Sequence, residues 1–332
     1  MDISQKPSNC FVVLFSTSDD VMTDRISKIL CQINISFIWV TPEDLITEGV
    51  DFSLSNWSLK FGDKWIDRRT VRFVWFYRFS ELTNCECILK IRAKLNSQIA
   101  DQVESEIYRI GYSLPTLFPY AEIVGDTSRI NTNKIIELNC ALQSGLEVPQ
   151  TLICSSKDTL ETFYKAIGTD LVSKSLFNAQ VLYVKDKKFS MYTTKIGSEE
   201  ISVLPKKFLP SLIQQRISRK FEVRVFYFLG AMEAVKIDAV EHNEYVDIRK
   251  NSGLPPYCFS EYIISNETAD HVRTFMKDMD LTMGSLDFIM SMDNQFYFLE
   301  VNNNGQISTL DEILKYKISS LIISRIIRSC QL

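Results

Sequence analysis

Near the carboxyl end, two apolar runs flank the dipeptide Asp293-Asn294: Ser285-Leu-Asp-Phe-Ile-Met-Ser-Met292 and Gln295-Phe-Tyr-Phe-Leu-Glu-Val-Asn302. A hairpin with that dipeptide as its two-residue turn puts Asp287 directly opposite Glu300. Directly opposed residues share a face, and Asn302, two positions beyond Glu300, projects there too. Two facing carboxylates repel, and either a raised pKa or a divalent cation between them relieves the strain. Two carboxylates and an amide oxygen form a hard, all-oxygen donor set suited to Mg2+, with phosphate oxygens completing the octahedron. A solvated pair on an exposed face would read the same way. The neighbouring Leu, Phe, Ile and Val residues describe a partly buried sheet and favour the metal.

Two more charged pairs occupy segments with strand alternation. Glu222 and Arg224 share one face of Glu222-Val-Arg-Val-Phe-Tyr-Phe-Leu-Gly230, and Asp247 pairs with Arg249 in Tyr245-Val-Asp-Ile-Arg249. An arginine beside a Mg2+ site suits bidentate contact with phosphate or carboxylate; a cross-strand salt bridge explains each pair equally well. Lys134 opens a helix, where a cation opposes the helix dipole, and Lys174 stands in the largely uncharged strand Leu171-Val-Ser-Lys-Ser175. An anionic ligand accounts for both lysines more simply than local stability does. Neither GxxxxGK[ST] nor GxGxxG occurs, so a nucleotide would be held by side chains and a hairpin.

The elements that would carry these residues follow from periodicity. Cys10–Ser16 reads as a buried parallel strand, Val21–Gln32 as a helix and Ile35–Val40 as a second strand, the start of an open α/β sheet. A hairpin (Trp57–Phe61, Lys64–Ile66), a strand at Val71–Tyr77 and an amphipathic helix at Arg92–Ile110 follow, and the first domain closes at 120. A second, α+β domain (121–205) opens with a helix capped by Thr132 or Asn133. Its face is Ile135, Leu138 and Leu142, and Gly145 ends it. Strands to Cys154 and at Asp170–Ser175 enclose a helix at Thr159–Ile167; a hairpin from Gln180 to Thr194 is a candidate lid, and Pro205–Pro210 reads as a linker. The third domain (206–332) holds strands at Leu212–Gln215, Glu222–Leu229 and Ala234–Ala239, a helix at 266–280, the carboxylate hairpin, and a helix at Leu310–Ser329.

Composition narrows the class. The 332 residues are 45% hydrophobic and 23% charged, with a net charge of −4, the profile of an ordinary globular chain. No broad basic excess suggests nucleic acid, and no apolar run approaches the ~20 residues a membrane span needs. Only two histidines, His242 and His271, are present, which argues against a histidine-rich zinc site. Eight scattered cysteines, with no leader pattern before the first strand, read as reduced thiols in a cytoplasmic protein.

Together these residues resemble the ATP-grasp ligases, specifically the peptide maturases that make graspetides, and within them the grasp-with-spasm branch. The resemblance runs from Phe15-Ser-Thr-Ser-Asp-Asp20 and Val74-Trp-Phe-Tyr-Arg78 through Asn133-Lys134 and Gly145-Leu-Glu-Val-Pro-Gln-Thr151. It continues to Glu222-Val-Arg224, Asp247-Ile-Arg249, Leu286-Asp-Phe288 and Phe298–Gln306. It implies an ATP-grasp fold with an N-terminal α/β domain, a small central α+β domain and a C-terminal α+β domain. It further implies ATP and Mg2+ as cofactors, a precursor peptide with leader and core segments as partner, and a homodimer. Under it Lys134 and Lys174 contact ATP phosphates; Gln214, Gln215 and the backbone near Ile217 form the adenine edge; Glu222 holds the ribose. Asp287, Glu300 and Asn302 ligate Mg2+, Arg224 stabilises the transferring phosphoryl group, and Asp247 and Arg249 engage the peptide. The implied reaction phosphorylates an Asp or Glu side chain of that peptide and joins it to a Ser or Thr hydroxyl or a Lys amine. An ATP-grasp carboxylate–amine ligase acting on an amino acid or a protein C-terminus shares the nucleotide residues and is the alternative.

Overall fold

The computed structural model describes residues 10–79, 82, 85–125, 133–176, 181–184, 187–190, 193–239 and 257–331. Asp247 and Arg249 lie outside the described residues. The chain divides into two compact units, one formed by 1–130, 281–284 and 303–332, the other by 131–280 and 285–302.

The first unit contains β1 (Phe11–Phe15), α1 (Val21–Gln32), β2 (Ser36–Val40), α2 (Asp44–Thr47), β3 (Val50–Phe52), β4 (Ser58–Phe61), β5 (Lys64–Asp67), β6 (Val71–Phe76), α3 (Glu86–Lys94), α4 (Ser97–Ser113) and β7 (Glu122–Gly125). Parallel pairing orders four strands β2-β1-β6-β7, and β3-β4-β5 form a small antiparallel sheet. The run Phe-Val-Val-Leu-Phe of β1 is apolar throughout because both sides of a parallel sheet are covered; Val12 to Phe15 are fully buried. The single helix expected at Arg92–Ile110 is two, because Asn96 leaves helical geometry and caps α4 by accepting from the Ile99 amide at 2.8 Å. The sheet also gains β7, beyond the boundary expected at 120.

The second unit contains α5 (Lys134–Gln143), β8 (Thr151–Ser156), α6 (Lys157–Ile167), β9 (Leu171–Lys174), β10 (Val181–Val184), β11 (Lys187–Ser190), β12 (Thr194–Ile196), α7 (Ser198–Val203), β13 (Lys207–Gln215), β14 (Arg219–Phe228), β15 (Ala231–Ala239), β16 (Tyr257–Tyr262), α8 (Asn266–Asp278), β17 (Met283–Ser291, from Ser285 onward) and β18 (Phe296–Asn302). One sheet runs β12-β9-β13-β8, another β16-β15-β14-β17-β18, and β10-β11 form a hairpin. The expected linker Pro205–Pro210 is largely strand: β13 starts at Lys207 and pairs with β8 and β9.

The chain then returns to the first unit with α9 (Ser308–Ile313) and α10 (Lys317–Gln331). One continuous helix was expected here; Lys315 (φ +51°) and Tyr316 (φ +65°) break it. Asp311, fully buried, compensates the break by accepting from the Ser319 amide at 2.9 Å at the start of α10 and binding Arg25 of α1 at 2.5 Å. The reduced-thiol expectation fails at one pair. Cys10 and Cys330 form a disulfide with Cα atoms 5.3 Å apart, joining the approach to β1 to the end of α10; a separation of 320 residues hid the pairing from sequence. No described helix is long and apolar enough to cross a membrane.

Candidate functional site

The β17–β18 hairpin places Asp287 opposite Glu300 and Ser285 opposite Asn302. It does so by a different route from the one the sequence suggests. The turn holds three residues, not two: Ser291 pairs with Gln295, and Asn294 takes the left-handed conformation at φ +65°. That alone shifts the register by one. A bulge at Leu299, between the pairs Asp287–Glu300 and Phe288–Phe298, shifts it back. The carboxylates therefore face each other through two offsetting irregularities.

Cations from two other elements meet this pair. Arg224 on β14 donates Nε to Asp287 Oδ1 at 2.7 Å and Nη2 to Oδ2 at 3.1 Å, a fork on a carboxylate. Lys134, first residue of α5, lies 3.2 Å from Glu300 Oε2. Asn133 fixes the helix start, its side chain accepting from the Ile135 amide at 3.0 Å. Glu222, two residues before Arg224, pairs with Arg219. Loss of solvent raises the Asp287 pKa; Arg224 opposes this, while Glu300 and Glu222 add to it. Asp287 in turn strengthens the hold of Arg224 on its proton.

The residues assigned to the nucleotide fall into two groups. Lys134, Glu222, Arg224, Asp287 and Glu300 are brought together around the five-stranded sheet. Gln214 and Gln215 end β13, and Ile217 lies in the short link to β14, so these three stand where one sheet passes into the other. The side chain of Gln214 is buried and donates to Thr151 Oγ1 at 3.0 Å. Lys174 ends β9 opposite Leu212, three residues along the strand from the Gln215–Leu171 pair, roughly 10 Å away.

Sequence reasoning misjudged one face. In α5 the buried residues are Glu137, Leu138, Cys140 and Ala141, whereas Ile135 and Leu142 are exposed. With Ile153, Phe163 and Leu212 these two line an open cleft of about 500 Å³. Glu137, which accepts from the Val301 amide at 3.5 Å and so ties α5 to β18, was missed. Its signal was position: three residues after Lys134 it shares that lysine's side of the helix. Arg219 was missed because a residue three positions away along a strand is not expected to meet Glu222.

Among the described residues no cluster of three or more His, Cys, Asp or Glu could hold a metal. What the site offers is narrower: two facing carboxylates and the Asn302 amide, all oxygen, on a hairpin where burial and neighbouring carboxylates disfavour a bare charge on Asp287. That donor chemistry fits Mg2+.

No family model matches the chain, and comparison with curated proteins gives no match. Solved structures do match. The macrocyclase MdnC of Microcystis aeruginosa, bound with precursor peptide MdnA, superposes with a TM-score of 0.78 at 20% identity, covering 96% of this chain and 99% of that one. A RiPP-associated ATP-grasp ligase of Chryseobacterium gregarium, in complex with ADP and a leader and core peptide, gives 0.79 at 17% identity, covering 96% and 97%. D-alanyl-alanine synthetase A of Vibrio cholerae gives 0.57 at 14% identity, covering 98% and 99%. The chain has the ATP-grasp fold. Its likeness to the two peptide-associated ligases is greater than to the dipeptide synthetase.

Proposed function

We propose that this protein is an ADP-forming ligase that closes rings in a ribosomally made precursor peptide with leader and core segments. The observation that carries the reading is the Asp287–Glu300 pair with its two cations, set in a fold that matches peptide macrocyclases over nearly the whole chain. The drop in TM-score from 0.79 to 0.57 favours a peptide substrate over an amino acid or a protein C-terminus.

In this reading an Asp or Glu carboxylate oxygen of the peptide takes the γ-phosphoryl group of ATP, giving an acyl phosphate and ADP. A Ser or Thr hydroxyl, or a Lys amine, then attacks the acyl carbon; phosphate leaves and one proton is lost, forming an ω-ester or ω-amide link. Asp287, Glu300 and Asn302 would hold Mg2+, which supplies charge neutralisation at the phosphates. Arg224 and Lys134, held here by the two carboxylates, are the cations that would turn to phosphate oxygens when nucleotide binds. Lys174 would add a further phosphate contact, Glu222 would take the ribose, and Gln214, Gln215 and the backbone at Ile217 would border the adenine. Asp247 and Arg249 would engage the peptide, and the β10–β11 hairpin would exclude water from the acyl phosphate. The grasp-with-spasm branch, a cytoplasmic location and a homodimer complete the proposal.

The test is mass spectrometry of a Thr-, Ser-, Asp- or Glu-rich precursor encoded near this gene, incubated with enzyme, ATP and Mg2+. Each bond removes one water mass and releases one ADP. ADP release without a mass change, on that peptide, would reject ring closure.

A further inference from the structure

The first unit contains a second candidate site, at the carboxyl end of its parallel sheet. Strand order β2-β1-β6-β7 means that the chain leaves β1 towards one side of the sheet and leaves β6 towards the other. The gap between β1 and β6 is thus a topological switch point, where open α/β sheets bind ligands. Two motifs that the nucleotide site does not use, Ser16-Thr17-Ser-Asp-Asp20 after β1 and Tyr77-Arg78 after β6, end at this gap.

Their chemistry is unspent. Ser16 is fully buried, Thr17 is half-buried, and neither Ser16 Oγ nor Thr17 Oγ1 has a hydrogen-bond partner among the described residues. A buried hydroxyl left unpaired is costly and calls for an explanation. Opposite them, Arg78 is held in the left-handed region at φ +52°, which a non-glycine residue rarely adopts. Its amide donates to Asn304 Oδ1 at 3.1 Å, and Tyr77 Oη donates to the Gly305 carbonyl at 2.6 Å, so the loop before α9 fixes the backbone that aims Arg78. The Arg78 side chain keeps a third of its surface, and its one ion pair among the described residues is a long 3.6 Å approach to Asp20. Asp20 is occupied in capping α1, accepting from the Thr23 amide at 2.7 Å. Among the described residues, this leaves the fork donors of Arg78 and two hydroxyls.

We propose that Ser16, Thr17 and Arg78 form a carboxylate-binding subsite at the β1–β6 switch point. If the function proposed above is right, its ligand is an Asp or Glu side chain of the peptide substrate.

The experiment titrates the full-length, 15N-labelled protein with N-acetyl-L-glutamate N-methylamide and, separately, with the isosteric N-acetyl-L-glutamine N-methylamide. The acid should produce saturable shifts of the Arg78 Nε–H and Thr17 amide signals, about tenfold more tightly than the amide compound. Arg78→Gln should abolish the response and Thr17→Val should weaken it about threefold. Equal responses to the two compounds, or unchanged saturation in Thr17→Val, would overturn the subsite; Thr17→Val decides alone should Arg78→Gln fail to fold. ADP binding measured on the same samples reports the nucleotide site independently, so loss of one reading leaves the other standing.

Discussion

Arg224 grips Asp287 with two prongs, Nε at 2.7 Å and Nη2 at 3.1 Å, on separate carboxylate oxygens. Each charge is the other's main compensation, so deleting one strands its partner. Both side chains keep some solvent, 38% for Arg224 and 27% for Asp287, and the loss is discounted accordingly. Arg224→Met and Asp287→Asn should each destabilise the protein by about 1–2 kcal/mol. The double variant should lose clearly less than the sum, because no lone charge remains. Urea midpoints of the four proteins measure this, and strict additivity would mean that the pair carries no coupling.

Catalysis gives a sharper reading of the same carboxylates. Asp287→Ala and Glu300→Ala should each cut peptide-dependent ADP release by about a hundredfold or more while leaving the circular dichroism spectrum unchanged. Asn302→Ala, removing only a neutral donor, should cost less. Wild-type turnover in either carboxylate variant would remove both residues from the nucleotide site.

The hairpin shows how far sequence could reach. Alternation fixed which residues share a face, and the apolar flanks marked the strands, so Asp287 and Glu300 were legible as a pair. The turn was not: two or three residues give similar strings, and only the left-handed Asn294 and the bulge at Leu299 separate them. The N-terminal strands were readable because continuous apolar runs mark a parallel sheet. Helix breaks at Asn96 and at Lys315-Tyr316 were hidden, since both interrupt patterns that remain helical in period. The face of α5 was misread because Glu137, a charged residue, is buried there while Ile135 and Leu142 line an open cleft. Long-range partners such as Cys10 and Cys330 leave no local trace.

Glu122 gives the first unit a dependence on pH. Burial would raise its pKa, but hydrogen bonds from Arg325 and Ser329, with the Arg325 charge, outweigh that and hold it below the ordinary 4.5. A lowered folded value means that the folded chain gives up this proton more readily than the unfolded chain. The contribution is therefore complete above pH 4.5 and disappears as pH falls through the lower, folded value. Glu122→Gln should cost about 1 kcal/mol at pH 7, discounted for the partly exposed Arg325, and less at pH 3, below the ordinary carboxylate value. Urea midpoints at both pH values measure it; an equal loss at each would mean that the charge is irrelevant.

The Cys10–Cys330 bond closes a loop of almost the entire chain, with a sequence separation of 320. Closing so long a loop restricts the unfolded ensemble, with typical gains of about 2–4 kcal/mol. In air-oxidised protein, Cys10→Ser, Cys330→Ser and the double variant should therefore melt at the same lowered temperature, and a reducing agent should lower wild type to match. Intact mass after alkylation without reductant should show these two thiols blocked. Identical melting of reduced and oxidised wild type would remove the staple from the stability account.

Gly125 ends β7 with φ +117°, and a Cβ built there would lie 1.7 Å from the Phe76 carbonyl oxygen and 2.7 Å from its carbon. Both atoms belong to the backbone of the neighbouring strand, so nothing flexible can yield. The Gly125 amide also donates to Thr282 Oγ1 at 2.9 Å, which prevents the strand end from swinging away. Gly125→Ala should cost at least about 3 kcal/mol. Gly168, after α6, supplies the contrast: its φ is +69°, but among the described residues no atom beyond its chain neighbours lies within 4 Å of a built Cβ. Gly168→Ala should therefore cost only the left-handed backbone penalty, about 1 kcal/mol. Comparing the two melting temperatures separates collision from conformation, and equal small losses would show that β7 can move away from β6.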